Sequence, residues 1–434
     1  MKDDMTRQLL DFIDASPTCY HAAANAADRL RAAGYERLSE GEPWALRERG
    51  RYFVTRGDSS LIAFRVPKRD FRGFMLAAGH TDSPTFKIRE QAEVPSAGGC
   101  IRLSVEPYGG MLLRSWLDRP LSVAGRVMVR AGEGIVSRLV NLDRDLLVIP
   151  SVAIHMDREA NKGTALKPNI DLLPLFAGGT EPGAFRKLIA ETAGVPETDL
   201  LATDLYLYPR TKGTVFGAEG EFVSSPRLDD LQCVFACLQG FLAAGESESV
   251  PVLALFNNEE VGSGTRQGAD STFLSDVLRR ISRGLGRSGE EHDTAIANSF
   301  LVSADNAHAV HPAHPEYADA KEAPVLNGGI VLKYNASQRY TTDAVSAAVF
   351  QRVCELAEAP LQRYSNRADL PGGSTLGNIS TAHVSVHSVD IGLPQLAMHA
   401  ACEVAGSRDT ADLVKVMTEY FSRSLRVGPD GITL

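Results

Sequence analysis

The spacing of apolar positions opens the chain with two helical stretches. Residues 5–15 and 20–32 repeat apolar side chains every three or four positions, and the second stretch stops at Gly34, suited to the left-handed turn after a helix. RYFVTRGDSSLIAFRV then reads as two strands about a GDSS turn, and FRGFMLAAGH as a further, buried strand. Between about 92 and 218 the pattern shortens to alternating segments such as IRLSVEPYGG, LSVAGRVMVRAGEGIVSRLV and DLLVIPSVAIH, punctuated by glycines. Helical period is sparse there until FRKLIAETAG, while NKGTALKPN and FAGGTEPGAF read as surface loop. From about 219 strands and helices alternate: helix 229–243, strand 250–257, helix 270–283, strands 299–304 and 329–335, helix 342–358, strand 384–391 and helix 409–424.

This rhythm predicts an α/β fold with a largely parallel sheet flanked by helices on both faces. Residues 1–91 and 219–434 are expected to form that domain, with 92–218 a mainly β domain inserted into it. Ligands of such sheets bind beyond the carboxyl ends of the strands, so polar residues that end apolar runs are the places to look for chemistry.

Composition narrows the function classes. The 434 residues suffice for roughly two or three domains. A formal net charge of −9 without any Lys/Arg-rich run argues against a nucleic-acid-binding face. MKDDMTRQLLDFIDASP lacks the apolar core of a signal peptide, and no run approaches the ~20 apolar residues of a membrane span, so no membrane association and a cytoplasmic location are expected. The six cysteines include no CxxC pair, and Cys233 and Cys237 sit in an apolar helical stripe; any metal is not expected to be held by sulfur.

Five strand or helix ends carry carboxylate or imidazole. LAAGHTDSP runs from an apolar strand into His80 and Asp82, a histidine beside a carboxylate able to fix its tautomer. VSSPRLDDLQCVFA opens a helix with Asp229 and Asp230; one can cap the helix, which leaves the other without that job. PVLALFNNEEVGS ends a buried strand at Glu259 and Glu260, adjacent carboxylates that point in different directions. NSFLVSADNAHAVHPAHP ends a strand at Asp305, the residue favoured for chemistry, with His308, His311 and His314 as lining because Pro312 and Pro315 spoil a helical HxxH. VDIGLPQLAMHAACEVAGSRD carries His399 in a loop after a strand.

Together these residues meet the needs of two nearby divalent ions: a bridging Asp, two His, one Glu and one Asp as ligands, and one Glu left over as base. Nitrogen and oxygen ligation without thiolate suits Zn²⁺, with Mn²⁺ or Co²⁺ as substitutes.

The ordered set HTDSP, SSPRLDDL, NNEEVGS, SADNAHAVHP, NASQRY and AMHAACEVAGS resembles the M18 metallopeptidases, the aspartyl aminopeptidase family, over nearly the whole chain. The resemblance implies two zinc ions per chain. His80 and Asp305 would bind one and Glu260 and His399 the other, with Asp229 as the bridge, Asp82 orienting His80, and Glu259 as general base. It further implies removal of an N-terminal residue, preferentially Asp or Glu, from short peptides. Lys333 and Tyr340 of GGIVLKYNASQRY would face that residue, and His155 of SVAIHMD would reach a neighbouring subunit's site in a homododecamer built from dimers. Asn378 after Gly377 and the NNEE run depart from commoner family patterns without touching a proposed ligand. Two alternatives stay open: the same chemistry with neutral or broad N-terminal preference, and a catalytically silent binding protein on a peptidase fold.

Overall fold

The computed structural model describes residues 2–163, 165–179, 181–370, 372–373 and 375–434. Among them a nine-stranded mixed sheet runs in the spatial order Glu36–Leu38, Arg51–Arg56, Ser60–Arg65, Val250–Phe256, Phe74–His80, Phe300–Ala304, His387–Gly392, Ile330–Tyr334 and Leu361–Ser365. Val250–Phe256, Phe74–His80, Phe300–Ala304 and His387–Gly392 are mutually parallel neighbours, so their carboxyl ends lie along one edge.

These strands read as unbroken apolar runs because both of their faces are covered. In Phe74–His80, Met75 and Ala77 enter the core on one side and Phe74, Leu76 and Ala78 the core on the other, as the two-residue period of a strand requires. Helices Lys2–Asp14, Cys19–Ala32, Leu228–Ala243, Ala344–Leu356 and Asp409–Phe421 cover the first face, and Phe273–Gly284, Gly289–Ala297 and Leu376–His383 the second. Gly34 follows the second helix at φ +81°, in the role its position predicts.

Several elements had no pattern to reveal them. Helix Gly289–Ala297 (GEEHDTAIA) buries only Ala295, strand Leu361–Ser365 buries only Tyr364, and helix Leu376–His383 is a short, mixed stretch. Each is fixed by its neighbours more than by its own apolar period.

A separate six-stranded antiparallel sheet, in the order Gly134–Asn141, Leu121–Ala131, Leu200–Pro209, Thr85–Ser96, Cys100–Tyr108 and Leu175–Gly178, encloses its own apolar core. Its first strand in sequence starts at Thr85, before the change of texture near 92; TFKIREQAEVPS alternates half-buried and buried positions only over its first four residues. Strand Leu175–Gly178 and the short helix Pro168–Asp171 occupy the stretches read as loop. A five-stranded sheet of Thr214–Phe216, Phe222–Ser225, Glu403–Gly406, Pro394–Leu396 and Ala307–His308 lies beside the carboxyl edge of the central one. No helix among the described residues is long and apolar enough to cross a membrane.

Candidate active site

Three adjacent parallel strands deliver acidic or imidazole groups to the same edge. His80 ends its own strand, Asp305 follows Phe300–Ala304 directly, and Glu259 and Glu260 lie three and four residues past Phe256, His80's register partner. Gly79 is required for this convergence, since a Cβ there would stand 2.9 Å from Asp230 Oδ2. Asn258 adopts φ +63°, a conformation Asn tolerates better than most residues, and turns the chain into the short 3₁₀ turn of the two glutamates.

Asp229 enters from the amino end of helix Leu228–Ala243. Neither Asp229 nor Asp230 caps that helix: both have non-helical backbone angles, and Arg227, at φ +58°, occupies the cap position. Asp229's carboxylate instead faces both histidines. Its Oδ1 lies 3.4 Å from His80 Nε2, and its Oδ2 lies 3.4 Å from His399 Nε2. His399 Nε2 is also 3.4 Å from Glu260 Oε2, and His80 Nε2 is 3.9 Å from Asp305 Oδ1. The five residues therefore form two groups of three donors, His80–Asp229–Asp305 and His399–Asp229–Glu260, sharing the two oxygens of one carboxylate.

Both imidazoles are held in one tautomer. His80 Nδ1 donates to the Asp82 carbonyl at 3.0 Å, and His399 Nδ1 donates to the Gly110 carbonyl. Each Nε2 faces the carboxylates, the orientation a metal-binding histidine needs once that nitrogen gives up its proton. The carboxylate of Asp82, 3.5 Å from His80 Nδ1, has further partners: Oδ1 accepts the backbone N–H of Glu259 and Oδ2 that of Glu260, both at 3.2 Å, while Tyr108 donates its hydroxyl at 2.7 Å.

The electrostatics call for cations. Asp82, Asp229 and Asp305 are buried, Glu260 nearly so, and Asp229 Oδ1 and Glu260 Oε1 have no hydrogen-bond partner. Burial pushes Glu259 up to about 8 and Glu260 well above the usual carboxylate range. Burial also opposes the charges of Asp229 and His399, but their mutual hydrogen bonding outweighs it, depressing Asp229 and raising His399 to about 10. Donor separations of 3.4 Å match the edge of a tetrahedron whose metal–ligand bonds are about 2.0–2.1 Å long, an edge of about 3.3–3.4 Å. The donor set thus fits a divalent ion such as zinc, and His80, Asp229 and Glu260 offer ligand atoms all within 4.8 Å of one another.

A cavity of about 210 Å³ opens onto the cluster, lined by Glu259, His308, Lys333, Tyr340 and Tyr364 among others. Lys333 is 3% exposed; burial works against its charge, but Asp305, 3.7 Å from its Nζ, more than restores it. Of the three histidines read as lining, only His308 borders this cavity. His311 and His314 pair with each other in an exposed turn. His155 is exposed in the 151–156 segment and, among the described residues, does not join the cluster.

Sequence reading missed the supports. Glu403 is buried and accepts two backbone N–H groups, from Asp229 and His399. Tyr108 comes from the antiparallel sheet and accepts a bond from Asn258 Nδ2 at 2.7 Å. Glu403 stands inside AMHAACEVAGS, four residues past His399, but nothing in that spacing marks its side chain as inward-facing.

A family model described as "Aminopeptidase I zinc metalloprotease (M18)" matches residues 12–421. A protein of Clostridium acetobutylicum named "Probable M18 family aminopeptidase 2" is 42% identical over 432 residues, covering 97% of this chain and 100% of its own length. A Pseudomonas aeruginosa protein of the same name is also 42% identical, covering 98% of this chain and 99% of itself. Among solved structures, a chain of the Ape4 and Nbr1 complex superposes with a TM-score of 0.94 at 36% identity, covering 97% of this chain and 86% of that one. The S. cerevesiae mApe1 dodecamer gives 0.85 at 28% identity, covering 96% of each chain.

Proposed function

This chain belongs to the M18 family of zinc metallo-aminopeptidases, and on that premise we propose that it removes an N-terminal Asp or Glu from short peptides at a centre of two zinc ions bridged by Asp229. The observation that carries this reading is the placement of each Asp229 oxygen 3.4 Å from a different histidine Nε2. His80 and Asp305 complete one ligand group, and His399 and Glu260 the other. Mn²⁺ or Co²⁺ would suit the same donors.

Bound there, the ions supply Lewis acidity, which lowers the proton affinity of a water and offsets charge developing on the scissile carbonyl oxygen. Among the described residues Glu259 forms no ion pair with His80 or His399, and it lines the cavity, where it can take the proton of the attacking water and return it to the leaving amine. Asp82 fixes the backbone of the glutamate pair and, through its carbonyl, the His80 ring.

Lys333 supports the acidic preference, being a buried ammonium on the wall of the substrate cavity, 5.4 Å from the Tyr340 ring centre. The dodecameric relative supports the same assembly for this chain; in that assembly His155, exposed on its own chain, would enter a neighbouring subunit's cavity.

Metal analysis together with initial rates on Asp-, Glu- and Leu-anilides tests the reading. We expect two zinc ions per chain and faster turnover of Asp or Glu. One ion per chain would remove the bridging role of Asp229, and a clear lead for Leu would remove the acidic preference.

A further inference from the structure

The opposite edge of the central sheet carries a second cleft, of about 860 Å³, unconnected with the peptidase chemistry. It opens where Arg51–Arg56 and Val250–Phe256 begin and Ser60–Arg65 ends. Val250–Phe256 has seven residues, so the cleft and the catalytic edge stand about 20 Å apart at ~3.3 Å per residue.

In a chain of net charge −9, this cleft is lined by six cations. Arg72 is held by Glu248, and Arg423 by Glu419. Arg49, Arg51, Arg65 and Lys68 have no ion pair among the described residues, and Glu48 and Glu246, which also line the cleft, offset only part of their charge.

Arg51 and Arg65 are direct partners across an antiparallel strand pair, an arrangement in which like charges repel. Arg65 donates one bond, from Nη1 to the Ala244 carbonyl at 2.8 Å, while its Nε and Nη2 are buried without an acceptor. A single carboxylate would answer one of the four charges. Phosphoryl groups place several charges in a small volume and match the planar donor fork of arginine.

We propose that this cleft binds a small anion carrying two or more phosphoryl charges, with Arg51 and Arg65 as its principal positive charges and Lys68 at the mouth. The cleft has the size of a small-molecule site. A long nucleic acid is disfavoured, because its phosphates would extend past the cleft onto a surface of net negative charge.

Calorimetric titration of the zinc-loaded, full-length protein with inorganic pyrophosphate, at 50 and 200 mM salt (about a fourfold change, chosen because ionic contacts weaken with salt), tests the proposal. We expect one site per chain, weaker at the higher salt, with binding reduced at least tenfold (~10-fold per 1.4 kcal/mol) by Arg65→Met and several-fold by Lys68→Ser, and with peptidase activity unchanged in both. Lys68 is exposed, so its variant remains informative if Arg65→Met fails to fold. Absence of binding to the wild-type protein overturns the proposal. So does equal binding in wild type and Lys68→Ser, which would place the anion outside the cleft, or binding of a single-stranded oligonucleotide without binding of pyrophosphate.

Discussion

Glu403 holds Asp229 by its backbone: Glu403 Oε2 accepts the Asp229 N–H at 3.0 Å, deep in the protein. The other oxygen, Oε1, accepts the His399 N–H at 2.7 Å. One carboxylate therefore sets the position of the shared ligand and of one histidine, the latter in a left-handed conformation at φ +66°. Glu403→Gln can accept at only one oxygen, and Glu403→Ala at neither. We expect zinc affinity to fall about 10- to 100-fold in either variant, the usual cost of losing an outer partner of a metal ligand, with partial recovery of activity in excess zinc. Zinc titration with a competing chelator measures this; wild-type affinity in both variants would remove Glu403 from the site.

Glu259→Gln keeps the shape of the side chain and removes its basicity. Turnover is expected to drop by about 10²–10⁴, the range for a positioned general base, with metal content unchanged. Parallel metal analysis and steady-state rates decide the matter, and loss of zinc alongside activity would make Glu259 a ligand.

Asp82→Asn replaces one acceptor oxygen by a donor while the N–H groups of Glu259 and Glu260 and the Tyr108 hydroxyl still need acceptors. A buried donor left without its partner costs about 1–3 kcal/mol, so kcat/KM should fall about 10- to 100-fold. Tyr108→Phe removes one donor and leaves both backbone bonds, and should cost less than tenfold. Equal losses in the two variants would contradict this ranking.

Lys333→Met retains the length of the side chain and discards its charge. The ratio of kcat/KM for Glu-anilide over Leu-anilide should fall by about 10- to 100-fold, as expected when a buried charge-assisted contact worth ~1.5–3 kcal/mol is lost. An unchanged ratio would place the acidic-residue contact elsewhere.

Metal removal should make stability fall as pH rises. Without metal, burial opposes the His399 charge, but Asp229 and Glu260 raise its folded value to about 10 from 6.5. That contribution is complete below 6.5 and lost as pH climbs through 10. Glu259, raised to about 8 by burial, likewise binds its proton more tightly folded than unfolded, so its effect has the same sign between 4.5 and 8. Depression of Asp229 acts the other way, in a window below 3.8. Chelated protein should therefore melt lower at pH 9.5 than at 6.5, and zinc, which takes the place of these protons, should flatten the difference. A chelated protein whose melting temperature is flat or rises over that interval would show that these groups are not coupled as described.

Apolar periodicity alone revealed most strands of the central sheet and most of its covering helices, because strands buried on both faces and amphipathic helices leave strong one-dimensional patterns. It also brought out His80, Asp229, Glu259, Glu260, Asp305 and His399, each of which breaks an apolar run at its end or lies in the loop beyond a strand. Elements with one buried side chain, such as Gly289–Ala297 and Leu361–Ser365, had no such pattern to show. Only the tertiary structure decided what supports the cluster. Glu403, Tyr108 and the Gly110 carbonyl come from separate segments and act through bonds to backbone or ring nitrogen, whose direction depends on packing between sheets. The same holds for the basic cleft, where Arg51 and Arg65 are 14 positions apart and become neighbours only through strand register. Residue type along a chain records which groups prefer burial; the partners those groups then face are set by long-range pairing, which no local spacing encodes.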